Sequence, residues 1–172
     1  MTSVRIAGIE DIDRISLVLA ASWRTAYRGI IEDSYLDSLR DNHWIEFLTH
    51  GLSSDAIFST VLQDEQEIIG AAILGKSENE GEVHLFSLYL LPDKIGRGHG
   101  HVFYSEIEKE MIARGFTLCV LDVLANNKRA LNFYERHGFA DTNTETPAVL
   151  GDQSYTCKVL TKALSQATAG LI

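Results

Sequence analysis

Leu88-Tyr89-Leu90-Leu91-Pro92-Asp93-Lys94-Ile95-Gly96-Arg97-Gly98-His99-Gly100 is the stretch in which the character of this chain changes. An apolar run stops at a proline, glycines then take alternate positions, and a stripe of helical spacing follows through Phe103, Ile107 and Met111. Gly115 is a suitable stop for that helix. Glycines between a strand and a helix let main-chain N–H groups approach an anion, and the helix N-terminus adds its dipole. Gly96, Arg97, Gly98, His99 and Gly100 therefore form a candidate pyrophosphate cradle, although a glycine-rich turn without a ligand has the same composition. Two familiar phosphate motifs do not fit. A Walker loop needs Gly-Lys-Ser/Thr, and a dinucleotide fingerprint needs a glycine where this chain has His101.

Working outward, Glu82 to Leu91 reads as a strand, and Ala56 to Leu62 and Glu67 to Leu74 read as a hairpin around Gln63–Gln66. An antiparallel meander thus precedes the glycines, unlike a dinucleotide fold, whose glycines follow the first strand of a parallel sheet. Downstream, Phe116 to Val123 is almost wholly apolar with the single charge Asp122, the pattern of a central strand buried on both faces and reached by a right-handed crossover. Asn126-Asn127 suits a helix N-cap, Ala130, Phe133 and Tyr134 form the next stripe, and His137-Gly138-Phe139 caps it and leads into a strand. Ser154 to Leu160 reads as a further strand, before a weakly patterned tail from Ser165.

Toward the N-terminus, Val4 to Ala7 reads as a short strand and Asp11 to Ala21 as a helix with Ile12, Ile15 and Leu19 on one side. Ser34–Leu39 and Trp44–Leu48 are helical in period, with Gly51 as the stop of the latter. The expectation is a single α/β domain over residues 1–172, with a mixed, mostly antiparallel sheet flanked by helices.

The 172 residues carry 15 Lys plus Arg against 24 Asp plus Glu, a net charge of -9, which argues against a nucleic-acid partner. Cys119 and Cys157 lie in apolar stretches and read as buried free thiols in a reducing, cytoplasmic setting. No apolar run is long enough for a signal peptide or a membrane span, and no Cys and His spacing resembles a metal site.

The chain resembles the GCN5-related N-acetyltransferases, whose hallmark is Gln/Arg-x-x-Gly-x-Gly/Ala at a strand-to-helix turn. Ile95-Gly96-Arg97-Gly98-His99-Gly100 matches it in register, Leu88-Tyr89-Leu90-Leu91-Pro92 is similar to the family's fourth strand, and residues 127–139 are similar to its Asn-x-x-Ala-x-x-x-Tyr-x-x-x-Gly-Phe segment. Ala21-Ser22-Trp23-Arg24-Thr25-Ala26-Tyr27-Arg28-Gly29-Ile30 is similar to the first-helix region of bacterial members. The departure is Ile95, where the family most often has Gln or Arg; because main-chain amides do most of the holding, weakened rather than lost cofactor binding is expected.

The resemblance implies transfer of an acetyl group from acetyl-CoA directly to a primary amine of a small molecule or peptide. It implies that Tyr134 protonates the departing sulfur, that Asn127 bonds the pantetheine arm, and that Leu88 and Leu90 act through main-chain groups. It sets His84 where many members carry a glutamate base. An ordinary imidazole titrates near 6.5, and Glu82 lies on the same strand face to orient it. Trp23, Tyr27, Arg28 and Tyr35 fall in the acceptor wall, and the acidic balance favours a cationic amine. Relatives often pair as dimers through C-terminal strands, for which Ser154 to Leu160 is the candidate here. Two other classes compete on the sequence: a non-catalytic acetyl-CoA sensor, and an unrelated mononucleotide-binding α/β protein.

Overall fold

The structure is a computed structural model and describes residues 1–165. Seven strands form one sheet in the order β1-β2-β3-β4-β5-β7-β6, built from β1 (Thr2–Ile6), β2 (Ile57–Asp64), β3 (Glu67–Lys76), β4 (Glu82–Leu90), β5 (Leu118–Leu124), β6 (Ala140–Leu150) and β7 (Gln153–Ala163). Only the β4–β5 pair is parallel; the others are antiparallel. The helices are α1 (Ile12–Ala26), α2 (Asp33–Ser38), α3 (Ile45–Ser53), α4 (His99–Ala113) and α5 (Lys128–Arg136). The expected tail beyond Ser165 lies outside the described residues.

Alternating side chains sort the core onto two faces. On one, Phe103, Tyr104, Ile107 and Met111 of α4 and Tyr134 of α5 pack on Leu62, Leu85, Cys119, Leu121 and Val123. On the other, Ile15, Val18 and Leu19 of α1 and Leu48 of α3 pack on Val61, Ala71 and Ile73, with a cluster around Tyr27, Leu36, Leu124 and Cys157 beside them.

One irregularity in β4 matters for everything that follows. Ile73 of β3 faces Ser87 while Leu74 faces Leu85, so Phe86 is an extra residue, a β-bulge. The bulge inverts the alternation: Val83 and Leu85 before it, and Leu88 and Leu90 after it, all pack with α4 and α5. Without it Leu88 and Leu90 would turn to the α1 face.

Several expectations are corrected. Gly51 lies inside α3 rather than ending it; a Cβ there would meet Ile57 Cδ1 at 2.6 Å, so the glycine answers to packing against β2. Strand β5 is buried on the α4/α5 face through Cys119, Leu121 and Val123, but on its other face only Leu124 at its end is buried and Asp122 is exposed. Strand β7, the expected pairing strand, has β5 and β6 on its two sides, so the free edge at that end belongs to β6.

The N-terminal entry to α1 is pinned electrostatically. Arg5 donates to both oxygens of Asp11, at 2.6 and 2.8 Å, and Gly8 N–H donates to the same carboxylate at 2.9 Å. These donors, the guanidinium first, hold the Asp11 carboxyl below its ordinary range. A depressed carboxyl stabilises the fold above its unfolded value of about 3.9 and stops doing so as pH falls through the lower folded value. Asp11→Asn is expected to remove that part of the acid sensitivity, checked by urea unfolding of both proteins from pH 7 down to pH 3.

Candidate active site

The site grows from the place where β4 and β5 part. Their parallel pairing runs Glu82↔Leu118, Val83↔Cys119 and His84↔Val120 and then stops. Past that point β4 keeps its partner on the β3 side, and Leu91 N–H donates to Ile69 O at 2.8 Å. Antiparallel ladders alternate, so the main-chain groups of Tyr89 and Leu91 serve β3 and those of Leu88 and Leu90 point to the side β5 has left. The Leu90 carbonyl accepts from the buried Ser22 hydroxyl of α1 at 2.7 Å. An edge of strand with free main-chain groups, lined by leucine side chains, faces the gap.

That edge runs into the glycine loop. Gly96 and Gly98 have φ of 83° and 82°, the left-handed region open to glycine, and space is empty where a Cβ would sit on either. Gly98 is the N-cap of α4. Among the described residues the N–H groups of Gly96, Arg97, Gly98, His99 and Gly100 have no acceptor, whereas those of Ile95 on one side and His101 on the other do. Five consecutive main-chain donors thus converge at a helix N-terminus, where the dipole favours an anion. Arg97 is exposed beside them, and Lys94 Nζ lies 3.9 Å from Asp93. At Gly100 a Cβ would stand in ordinary van der Waals contact with Phe133 of α5, at 3.4 Å. His99 opens α4, and His101 Nδ1 lies 2.9 Å from His137 Nε2, tying α4 to α5.

Tyr134 lies in the apolar cluster that Leu88 and Leu90 pack against. Burial, and then the neighbouring Tyr27, raise its phenol well above the ordinary value, so it stays protonated at neutral pH. Its hydroxyl has no hydrogen-bond partner among the described residues, which leaves the proton available. Asn127 caps α5 by accepting from Ala130 N–H at 3.2 Å. Burial pushes the Cys119 thiol up to about 12, so this residue is packing and not a nucleophile.

On the α1 side, Trp23 and Tyr27 stack edge to face at 4.8 Å, and Trp23 also approaches Trp44 and Tyr89. The Tyr27 and Tyr89 hydroxyls are 2.7 Å apart. Tyr35 packs in the same cluster, whereas Arg28 is turned outward into ion pairs with Asp33 and Asp37. A cavity of about 320 Å³ beside this wall is lined by Ile30, Leu124, Ala125, Asn126, Ser154, Tyr155 and Thr156. A further depression, of about 690 Å³, lies at Arg5, Asp11, Arg14 and the β2–β3 hairpin and includes none of the predicted site residues.

His84 is the last residue of β4 paired to β5. Its ring stacks on Phe86 at 4.6 Å, and its Nε2 is 3.4 Å from Asp122 Oδ2. The expectation that Glu82 orients it is not met: Glu82 accepts from Asn79 Nδ2 at 3.1 Å. Sequence reasoning missed Asp122, Tyr89, Ser22 and Trp44 as members of this region. Only Asp122 left a signal, as the one charge in an apolar strand.

A family profile described as Acetyltransferase (GNAT) family matches residues 19–139, from the second half of α1 through the glycine loop and α5. The chain belongs to the GNAT acetyltransferase family. It is 32% identical over 156 residues to the uncharacterized N-acetyltransferase YuaI of Bacillus subtilis, covering 87% of this chain and 88% of that protein. It is 28% identical to a spermidine N(1)-acetyltransferase of Thermoplasma acidophilum, covering 88% and 96%. The PaiA N-acetyltransferase of Thermoplasma acidophilum, solved in complex with coenzyme A, superposes with a TM-score of 0.79 at 25% identity, covering 95% of this chain and 99% of that one.

This GNAT protein is an acetyl-CoA-dependent N-acetyltransferase, which sets aside the sensor and mononucleotide readings. The donor set fits the cofactor: five unsatisfied N–H groups suit a pyrophosphate, and a strand edge with free amide groups suits a pantetheine arm. Gly98→Val forces a β-branched residue into the left-handed region and sets its side chain in the cradle. Calorimetry is expected to show acetyl-CoA binding weakened by tenfold or more, with the circular dichroism of the fold retained.

Proposed function

We propose that this enzyme acetylates the primary amine of a small cationic acceptor of the polyamine class. The observation that carries the reading is the continuity of the Gly96–Gly100 donors with the free Leu88–Leu90 edge and with the Tyr134 cluster. A bound cofactor supplies the activated acetyl group as a thioester. The residues of this chain do the rest. Gly96 to Gly100, with Arg97 beside them, hold the phosphates; Asn127 and the Leu88 and Leu90 amides hold the arm; and the free N–H of Leu90 polarises the carbonyl. His84 takes the ammonium proton, and Tyr134 gives one to the departing sulfur.

Three observations favour a cationic acceptor. The protein carries a net charge of -9, which raises the local concentration of cations. The aromatic cluster of Trp23, Tyr27 and Tyr89 is of the kind whose ring faces attract an ammonium. A relative that the chain matches over most of its length is named a spermidine N(1)-acetyltransferase. Arg28, committed to Asp33 and Asp37, is left out of the wall on this reading.

A panel of polyamines, amino acids, neutral amines and peptide N-termini, scored by thiol release, tests the acceptor. Polyamines are expected to lead in kcat/KM, with rates that fall as salt is added. Turnover of peptide N-termini without turnover of polyamines would overturn the small-molecule reading. Tyr134→Phe is expected to lower kcat by about 10²-fold and to leave acetyl-CoA affinity unchanged in a calorimetric titration.

A further inference from the structure

We infer that Asp122 is a positioning residue for the acetyl transfer, holding the His84 imidazole in the tautomer whose Nδ1 is free to take the acceptor's proton. The inference rests on the assignment of His84 as the base. Two contacts define how the imidazole sits: Phe86 stacks on its face with 14° between the planes, and Asp122 Oδ2 lies 3.4 Å from Nε2. Asp122 is itself held. It stands two residues beyond Val120, the partner of His84, on the same face of β5, and its other oxygen accepts from Thr146 Oγ1 of β6 at 3.5 Å. A carboxylate 3.4 Å from Nε2 favours, by its charge, the tautomer with the proton on Nε2, which leaves the lone pair on Nδ1.

The pair has no evident duty in folding. Both side chains are partly exposed, at 25% and 36%, and an exposed ion pair adds little stability. An aspartate is a poor strand former in an otherwise apolar strand. The other groups around the pair are accounted for. Glu82 on β4 is engaged by Asn79, Cys157 on β7 is a buried thiol, and Lys158 and Glu145 lie on the opposite face, where Lys158 pairs with Asp141. Among the described residues no cationic side chain other than His84 lies within 4 Å of the Asp122 carboxylate.

The proton balance is then complete. His84 Nδ1 takes one proton from the acceptor ammonium, and the electron pair of the broken N–H bond becomes the pair that makes the new C–N bond. The C–S bond breaks with its electrons on sulfur, which takes the Tyr134 proton. The nitrogen gives up a second proton, which restores Tyr134, and the proton on His84 passes to water. Asp122 keeps its charge throughout and forms no bond.

The test pairs kinetics with the ¹⁵N chemical shifts of the His84 ring. The wild-type neutral ring is expected as one tautomer, protonated on Nε2. Asp122→Ala is expected to mix the two tautomers and to lower kcat about tenfold with the KM for acetyl-CoA unchanged. A double variant with His84→Gln should be no slower than His84→Gln alone, because two residues acting through one step are not additive. Asp122→Leu, which keeps the side-chain volume without a hydrogen-bonding or charged group, gives the same reading if the alanine variant folds poorly. A single unmixed tautomer with unchanged kcat in these variants, while His84→Gln is slow, overturns the inference and leaves the base in place. An unchanged kcat in His84→Gln overturns the base assignment and the inference together.

Discussion

The short pairing between β4 and β5 is the constraint on which the rest of this enzyme depends. Three residue pairs join the strands before they separate. Main-chain groups without partners are costly inside a protein, so a sheet that opens in its middle needs a reason at the opening. Here the opening leaves the Leu88 and Leu90 amides on an exposed edge, in line with the unsatisfied N–H groups of the glycine loop. The protein holds hydrogen-bonding capacity in reserve along one continuous line.

Other features keep that line straight and open. The Phe86 bulge turns Leu88 and Leu90 toward α4 and α5, so their side chains anchor the edge while their amides face the gap. Ser22 reaches over from α1 to bind the Leu90 carbonyl, fixing the end of the edge from the other face. Phe133 against Gly100, and the His101–His137 contact, bind α5 to the start of α4, so the helix that carries Tyr134 moves with the loop. Each is a contact between residues distant in sequence, and each sets the geometry of one part of the line.

The two faces of the sheet divide the electrostatic work. On the α4/α5 face the tyrosines are buried among apolar side chains, and the phenol of Tyr134 is kept protonated by lack of solvation. On the α1 face His84 and Asp122 remain partly open to water. Tyr134 and His84 thus lie in opposite environments on the two faces of the sheet.

Much of this was legible in the chain itself. The left-handed turns at Gly96 and Gly98, the Asn127 cap and the stripes of α4 and α5 are local requirements, written in residues a few positions apart, and the glycine loop with Tyr134 could be marked from them. Gly51 misled because a glycine that ends a helix and one that makes room for Ile57 read alike until the neighbouring strand is in place. The bulge at Phe86, the interior place of β7, the Tyr27–Tyr89 pair and the exchange of Glu82 for Asp122 as partner of His84 were decided by tertiary structure alone. A bulge shifts the face of every later residue, and the partners of a strand residue are set by register with chain tens of residues away. Local sequence specifies what each turn and helix requires; only the assembled sheet specifies which side chains meet across it.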